Sequence, residues 1–181
     1  MKTKLFSILL ILFAFSGCAT MMGDRTVNVT GDQLAQKLNE KLALPIQLMK
    51  IFNVNLSNSV VAFDKTTGRM TTTMDTKLSS ELFDKSLIGK LGISGKLRFD
   101  AATSSVVLDE PQIENLDLDG TGKDFSKILN SLTKTVGGEM LNGLTLYSVK
   151  PEDLNIRGTQ YNPKDMQMTD KGLQITLSPT R

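Results

Sequence analysis

Met-Thr-Thr-Thr-Met-Asp-Thr-Lys-Leu, residues 70–78, places Met70, Thr72, Met74, Thr76 and Leu78 at every second position. Side chains of a strand alternate between its two faces, so this spacing predicts a strand with one face turned inward and the other in water. The same alternation continues outward in both directions. Upstream, Phe52, Val54 and Leu56 alternate with Asn53, Asn55 and Ser57, and Lys65 to Gly68 supplies a turn. Past Ser59 the apolar positions shift to Val61 and Phe63, which predicts a bulge or bend that changes the inward parity. Downstream, Glu81 to Ile88 is expected to form a helical turn. Ile93, Leu97 and Phe99 then alternate with Lys96 and Arg98, and Val106, Leu108, Ile113, Leu116 and Leu118 form a further strand interrupted at Pro111. A wet face on each strand favours an antiparallel sheet over a buried parallel one.

Two helices are expected around this strand-rich centre. Thr26 to Val29 reads as a short strand, and Thr30 followed three residues later by Gln33 forms a capping-box pattern. Leu34, Leu38 and Leu42, with Ala35 beside them, then give one apolar face, opposite Lys37 and Lys41, until Pro45 marks the end. The longer helix is predicted from Asp124 to about Asn142. Phe125, Ile128, Leu129, Leu132, Val136 and Met140 recur at helical spacing, with Lys127, Asn130, Thr133 and Lys134 on the other side. Gly137 and Gly138 weaken that helix by roughly 1 kcal/mol each relative to Ala and mark either close backbone approach or a local break. Leu144 to Val149 leads into a strand, and Met166, Met168, the turn at Asp170 to Gly172, and Leu173, Ile175 and Leu177 form a terminal hairpin.

The N-terminus reads as an export signal. Lys2 and Lys4 precede a stretch, Leu5 to Phe15, that is apolar except for Ser7. Eleven helical residues cover about 16 Å, roughly half a bilayer core, so a span is not expected. Phe15, Ser16, Gly17 and Cys18 resemble the lipobox of bacterial lipoproteins, with Phe15 in place of the usual leucine. That resemblance implies acylation of Cys18 and removal of residues 1–17. The alternative is an ordinary cut after Ala19 that discards Cys18. The chain holds one cysteine, which excludes an internal disulfide, and a lone exported thiol is accounted for if it is capped. Residue 19 is Ala rather than Asp, which in lipoproteins of this kind looks like an outer-membrane address. The expected organisation is a signal over 1–17, a lipidated tether over 18–25 and one domain over 26–181.

Composition narrows the function. Losing Lys2 and Lys4 lowers Lys plus Arg from 21 to 19, equal to the 19 acidic residues, so no net field attracts nucleic acid. Histidine is absent from the sequence, which removes the commonest acid–base group and a leading metal ligand. Asp117, Asp119, Gly120 and Asp124 miss the calcium-loop pattern: counted from Asp117, position six is Gly122, but position twelve, which needs a bidentate acid, is Ile128. Gly89, Gly92 and Gly95 before Lys96 miss the phosphate-loop spacing and read as turn glycines. The serines lack a nucleophile elbow. No enzyme activity, metal or cofactor is expected. Met49, Met70, Met74, Met140, Met166 and Met168 fall at or near inward positions. Methionine either fills gaps in a core poor in aromatics or lines a surface that accepts varied apolar shapes.

Thr26 to Leu38 after the lipobox, Leu146 to Val149 after the long helix, and Met166 to Leu177 at the end together resemble the YceB-like family of Gram-negative lipoproteins. That family looks like a bacterial relative of the tubular lipid-binding fold. The resemblance implies an α+β protein in which a highly curved antiparallel β-sheet wraps around a long amphipathic helix, with a second, shorter N-terminal helix. It also implies a binding module, held at the periplasmic face of the outer membrane through acyl chains on Cys18, for an apolar ligand such as a phospholipid or fatty acid. Phe125, Ile128, Leu132, Val136 and Met140 would line the site with Met70, Met74, Met166 and Met168. The alternative is a structural or interaction lipoprotein with a packed core and an envelope protein partner.

Overall fold

The computed structural model describes residues 23–82, 85–119 and 126–180. Cys18, Asp124, Phe125 and the signal and lipobox expectations lie outside the described residues.

Strand β1 (Arg25–Thr30) leads into helix α1 (Gly31–Lys41), and then come β2 (Ile46–Leu48), β3 (Phe52–Asp64), β4 (Arg69–Ser80), β5 (Leu87–Asp100) and β6 (Ser105–Leu118). Helix α2 (Ser126–Leu132) passes directly into a π-helical segment (Thr133–Leu141). The chain closes with β7 (Leu144–Ser148), α3 (Pro151–Leu154), β8 (Asn155–Ile156), β9 (Thr159–Thr169) and β10 (Gly172–Pro179). The strands form a six-stranded sheet, β2-β3-β4-β5-β6-β7, and a four-stranded sheet, β1-β10-β9-β8, every pairing antiparallel.

The Thr30 capping box is present: the Gln33 N–H donates to Thr30 Oγ1 (3.3 Å) while Gln33 Oε1 accepts from the Thr30 N–H (2.8 Å). Leu34, Ala35, Leu38 and Leu42 are buried along one face of α1. The inward parity of β3 changes where anticipated. Its pairing with β4 slips between Ser57 and Val60, Asn58 takes a φ of 51°, and burial passes from Phe52, Val54 and Leu56 to Ser59 and partly to Val61 and Phe63. Further register shifts occur between β5 and β6, within β6–β7 and within β9–β10. Each extra residue adds local twist, and together they curl the strands. Helix α1 consequently touches both β3 and β7, near opposite edges of the six-stranded sheet, and packs across the opening of the half-barrel.

Several expectations are corrected. The protein is sheet-dominated, and no single long α-helix follows β6 in the described residues: seven α-helical residues give way to nine π-helical ones. At the junction Thr133 Oγ1 donates to the carbonyl of Leu129, four residues back (3.0 Å), and so competes with the regular ladder. Thr133, Thr135, Val136 and the two glycines that follow are weak α-formers. The glycine pair shows neither a tight approach nor a break, since the π-helical segment runs through both and a Cβ at either would find room. Gly137 is buried with the Pro111 carbonyl 3.4 Å from where a Cβ would stand, whereas Gly138 faces open space.

Glu81 and Leu82 form a turn and β5 already starts at Leu87, so the last residues of the helical turn expected over Glu81 to Ile88 are the start of a strand, while residues 83 and 84 lie outside the described residues. Pro111 does not interrupt β6, because a bulge beside Glu110, whose φ is 48°, absorbs it. Gly89, Gly92 and Gly95 are strand residues of β5 rather than turn glycines. A side chain at Gly89 would collide with the Asp117 carbonyl of β6, and one at Gly92 with the Asn115 side chain.

Candidate functional site

The inner wall of β4 is the part of the interior with the most mixed chemistry. Met70, Thr72, Met74, Thr76 and Leu78 are all buried and all point to the concave side, as their spacing predicts. Two of the five carry hydroxyls. Thr76 reaches only the Met74 carbonyl at 3.5 Å, and the Thr72 hydroxyl has no hydrogen-bond partner among the described residues. Ser59 on neighbouring β3 leaves its hydroxyl equally unpaired, although its N–H donates to Asn39 Oδ1 of α1 (3.0 Å). A buried hydroxyl without a partner costs about 1–3 kcal/mol, so two of them in one sheet interior call for a reason beyond packing.

The helical cover belongs to the same apolar cluster. Ile128, Leu132, Val136 and Leu141 are buried against the sheet residues, at successive intervals of four, four and five. The last interval is the π-helix expressed in packing, because widening the helix brings residue i+5 round to the face that i+4 would hold in an α-helix. Leu141 takes the inward place expected for Met140, which is half-buried against the cluster.

Of the anticipated site residues, Met70, Met74, Ile128, Leu132 and Val136 are therefore gathered into one cluster, and Met140 packs at its margin. Met166 and Met168 are half-buried on β9 of the other sheet. Met166 also lines a surface cleft of about 560 Å³ with Lys96, Arg98, Asp109 and Lys164. Met49 is 50% exposed in a turn and is not an inward residue. The Thr72 and Ser59 hydroxyls went unnoticed in the sequence, where the only signal was threonine repeated on an otherwise apolar parity.

The outer face is wet and cross-linked. Arg69 donates from Nε (3.2 Å) and Nη2 (2.9 Å) to Ser94 Oγ and from Nη2 to the Glu110 carbonyl (3.1 Å), and Ser94 Oγ donates to Glu114 Oε1. This network pins β4, β5 and β6 together at the β6 bulge. Lys96–Glu110 (2.7 Å) and Arg98–Asp109 (2.6 Å) pair across the next rungs. The Asp109 carboxylate, hydrogen-bonded to Arg98, holds that guanidinium above its ordinary pKa. Exposed pairs of this kind add little to stability, because water and salt screen them. Among the described residues no group of three or more Asp, Glu, His or Cys side chains is placed to hold a metal ion, and no helix is long and apolar enough to cross a membrane.

A curled antiparallel half-barrel, covered by α1 and a mixed α/π helix around a methionine–threonine wall, defines a sheet-dominated α+β protein with a largely apolar interior. The chain belongs to the family described as protein of unknown function (DUF1439), whose model matches residues 29–171. No curated protein matches it. Among solved structures it shows similarity to one described as "Crystal structure of lipopolysaccharide binding protein", at 10% identity and a TM-score of 0.31. That similarity covers 86% of this chain and 40% of the other, so the chain spans about two-fifths of that protein's length.

Proposed function

We propose that this protein is a YceB-like lipoprotein, anchored at the periplasmic face of the outer membrane through acyl chains on Cys18, that binds an apolar ligand such as a phospholipid or fatty acid without chemically altering it. The observation that carries the reading is the Thr72 hydroxyl, buried between Met70 and Met74 and without a hydrogen-bond partner among the described residues. A ligand with a long apolar chain and one hydrogen-bonding group suits such a wall: methionine adapts to the chain, and the hydroxyl meets an ester or carboxyl oxygen.

Leu132, Val136 and Leu141 are buried, so the cover is closed over the apolar cluster. Entry requires the cover to move and the ligand to replace the contacts it gives up, at about 25 cal/mol per Å² of apolar surface. The π-helical segment is where such movement is least costly, since it carries two adjacent glycines and lacks the regular α-ladder.

The test is mass spectrometry of lipid extracted from the purified protein, paired with titration of a fluorescent fatty acid. The expected results are a bound lipid and saturable binding that Thr72→Val weakens roughly fivefold, the effect of one lost hydrogen bond. No extracted lipid together with no fatty-acid binding would overturn the proposal. The complete burial of Leu132, Val136 and Leu141 favours the second reading, an interaction lipoprotein with a solid core. That reading predicts one crosslinked envelope partner and no lipid.

A further inference from the structure

We infer that one end of the six-stranded sheet is a docking rim for a phospholipid bilayer, formed by residues 49–51 between β2 and β3 and by Leu82 and Ile88 on either side of the β4–β5 connection. The pairing register places these residues together. Leu48 of β2 pairs with Phe52 of β3, Phe52 pairs with Ser80 of β4, and Leu78 pairs with Leu87 of β5, so residues 49–51 and the turn after Ser80 leave the sheet at the same end. Large apolar side chains are exposed there: Met49, Ile51, Leu82 and Ile88, with Leu82 69% and Ile88 60% accessible. Among the described residues the turns at the opposite end, 65–68 and 101–104, expose none.

The exposure is built into the backbone. Met49 and Lys50 both take left-handed conformations, with φ of 52° and 63°, which non-glycine residues adopt at a cost of about 1 kcal/mol or more each. A fold that holds two such residues in succession, and so keeps Met49 and Ile51 in water, is holding them for something outside the domain.

The chemistry of the rim favours a lipid surface over a protein. The apolar groups come from separate tips with a cleft of about 430 Å³ between them, lined by Asn53, Ser79 and Ser80 as well as by Ile51 and Leu82. Separate prongs over a polar floor do not offer the continuous, shaped patch that a protein interface packs. A bilayer deforms around prongs. Lys50, Lys77 and Lys85 at this end have no carboxylate within ion-pairing distance among the described residues, and their stems can lie along apolar groups with the ammonium at headgroup level. The β4–β5 connection also carries Glu81 and Asp84, and Asp119 follows β6, so the charges at this end balance and apolar insertion supplies the affinity.

This inference stands apart from the ligand reading, since the rim needs no open interior. The test uses the full chain in a Cys18→Ser background, with one thiol introduced as Ile51→Cys, Leu82→Cys or, at the opposite end, Thr66→Cys, and labelled with a polarity-sensitive dye. Vesicles of phosphatidylethanolamine and phosphatidylglycerol carry a spin-labelled lipid as quencher. Labels at 51 and 82 are expected to be quenched and the label at 66 to stay in water; Leu82→Ser should lower quenching at 51 by roughly fivefold. Because the two rim positions lie on different connections, misfolding of one variant leaves the other as the test. Labels at both 51 and 82 that stay in water and unquenched would overturn the inference. That pattern is the one expected if the rim serves a protein, or if the domain is held only through its N-terminus, which enters the fold where Asp24 bonds Lys164 (3.2 Å) and Ser178 (2.7 Å).

Discussion

Replacing Leu141 and Met140 by Ala, one at a time, separates a π-helical cover from a regular one. In the structure Leu141 is fully buried, five residues after Val136, and Met140 is half-exposed. Truncating a buried Leu costs about 2–5 kcal/mol through lost transfer energy and the cavity left behind. Taking about 3 for Leu141→Ala and about 1 for the half-buried Met140→Ala gives a threefold difference. With a urea slope of about 2 kcal/mol/M for a domain of this size, the unfolding midpoints should fall by about 1.5 M and 0.5 M. Equilibrium urea unfolding followed by circular dichroism reads both. An unbroken α-helix would turn the residue four after Val136 inward, so a larger loss for Met140→Ala than for Leu141→Ala would refute the reasoning.

Thr30→Ala removes the half of the capping box in which Thr30 Oγ1 accepts from the Gln33 N–H, leaving the Thr30 N–H on Gln33 Oε1, and should cost about 1 kcal/mol in the same assay, whereas Thr30→Ser should cost little. Gly89→Ala forces a Cβ onto the Asp117 carbonyl, so β5 and β6 must part locally; a loss of about 1–3 kcal/mol is expected, and a neutral result would mean the strands are spaced more widely than described. For pH, three exposed carboxyls lie below the ordinary value: Asp24 through its hydrogen bond from Ser178 and then Lys164, Asp64 through Thr67 and the Thr66 N–H, and Asp75 through Lys90 and then Asn58. A lowered folded-state pKa contributes stability above the unfolded value and loses it as pH falls through the folded value. With no histidine in the chain, the melting temperature should be level between about pH 5.5 and 8 and should fall only below about pH 4; a step near pH 6.5 in thermal melts would contradict this.

Local rules were legible where one residue type left one choice. Thr30 and Gln33 announced their helix start, the β4 parity from Met70 to Leu78 was complete, and the shift from Leu56 to Val61 marked the bulge at Asn58. The cover was not legible beyond Val136, because Met140 and Leu141 are both apolar and a period of 3.6 cannot say which turns inward once the helix widens. The β5 glycines misled for a related reason. Their need is set by Asp117 and Asn115 on a partner strand more than twenty residues away, and nothing in their own spacing reports it. Met49 was misplaced because its position near an apolar run hid two successive left-handed residues. Partition into two sheets was equally out of reach, since β1 pairs with β10 from the other end of the chain.

The interior's capacity for a ligand is tested most directly by methyl NMR on the methionines during titration with a long-chain fatty acid. Nine methionines supply the probes, and the structure sorts those it describes by depth. Occupation of the β4 wall should move the Met70 and Met74 signals first, with Met140 following as the cover yields, while exposed Met49 stays put. Shifts confined to Met49, with Met70 and Met74 unmoved at saturating ligand, would mean the core stays closed.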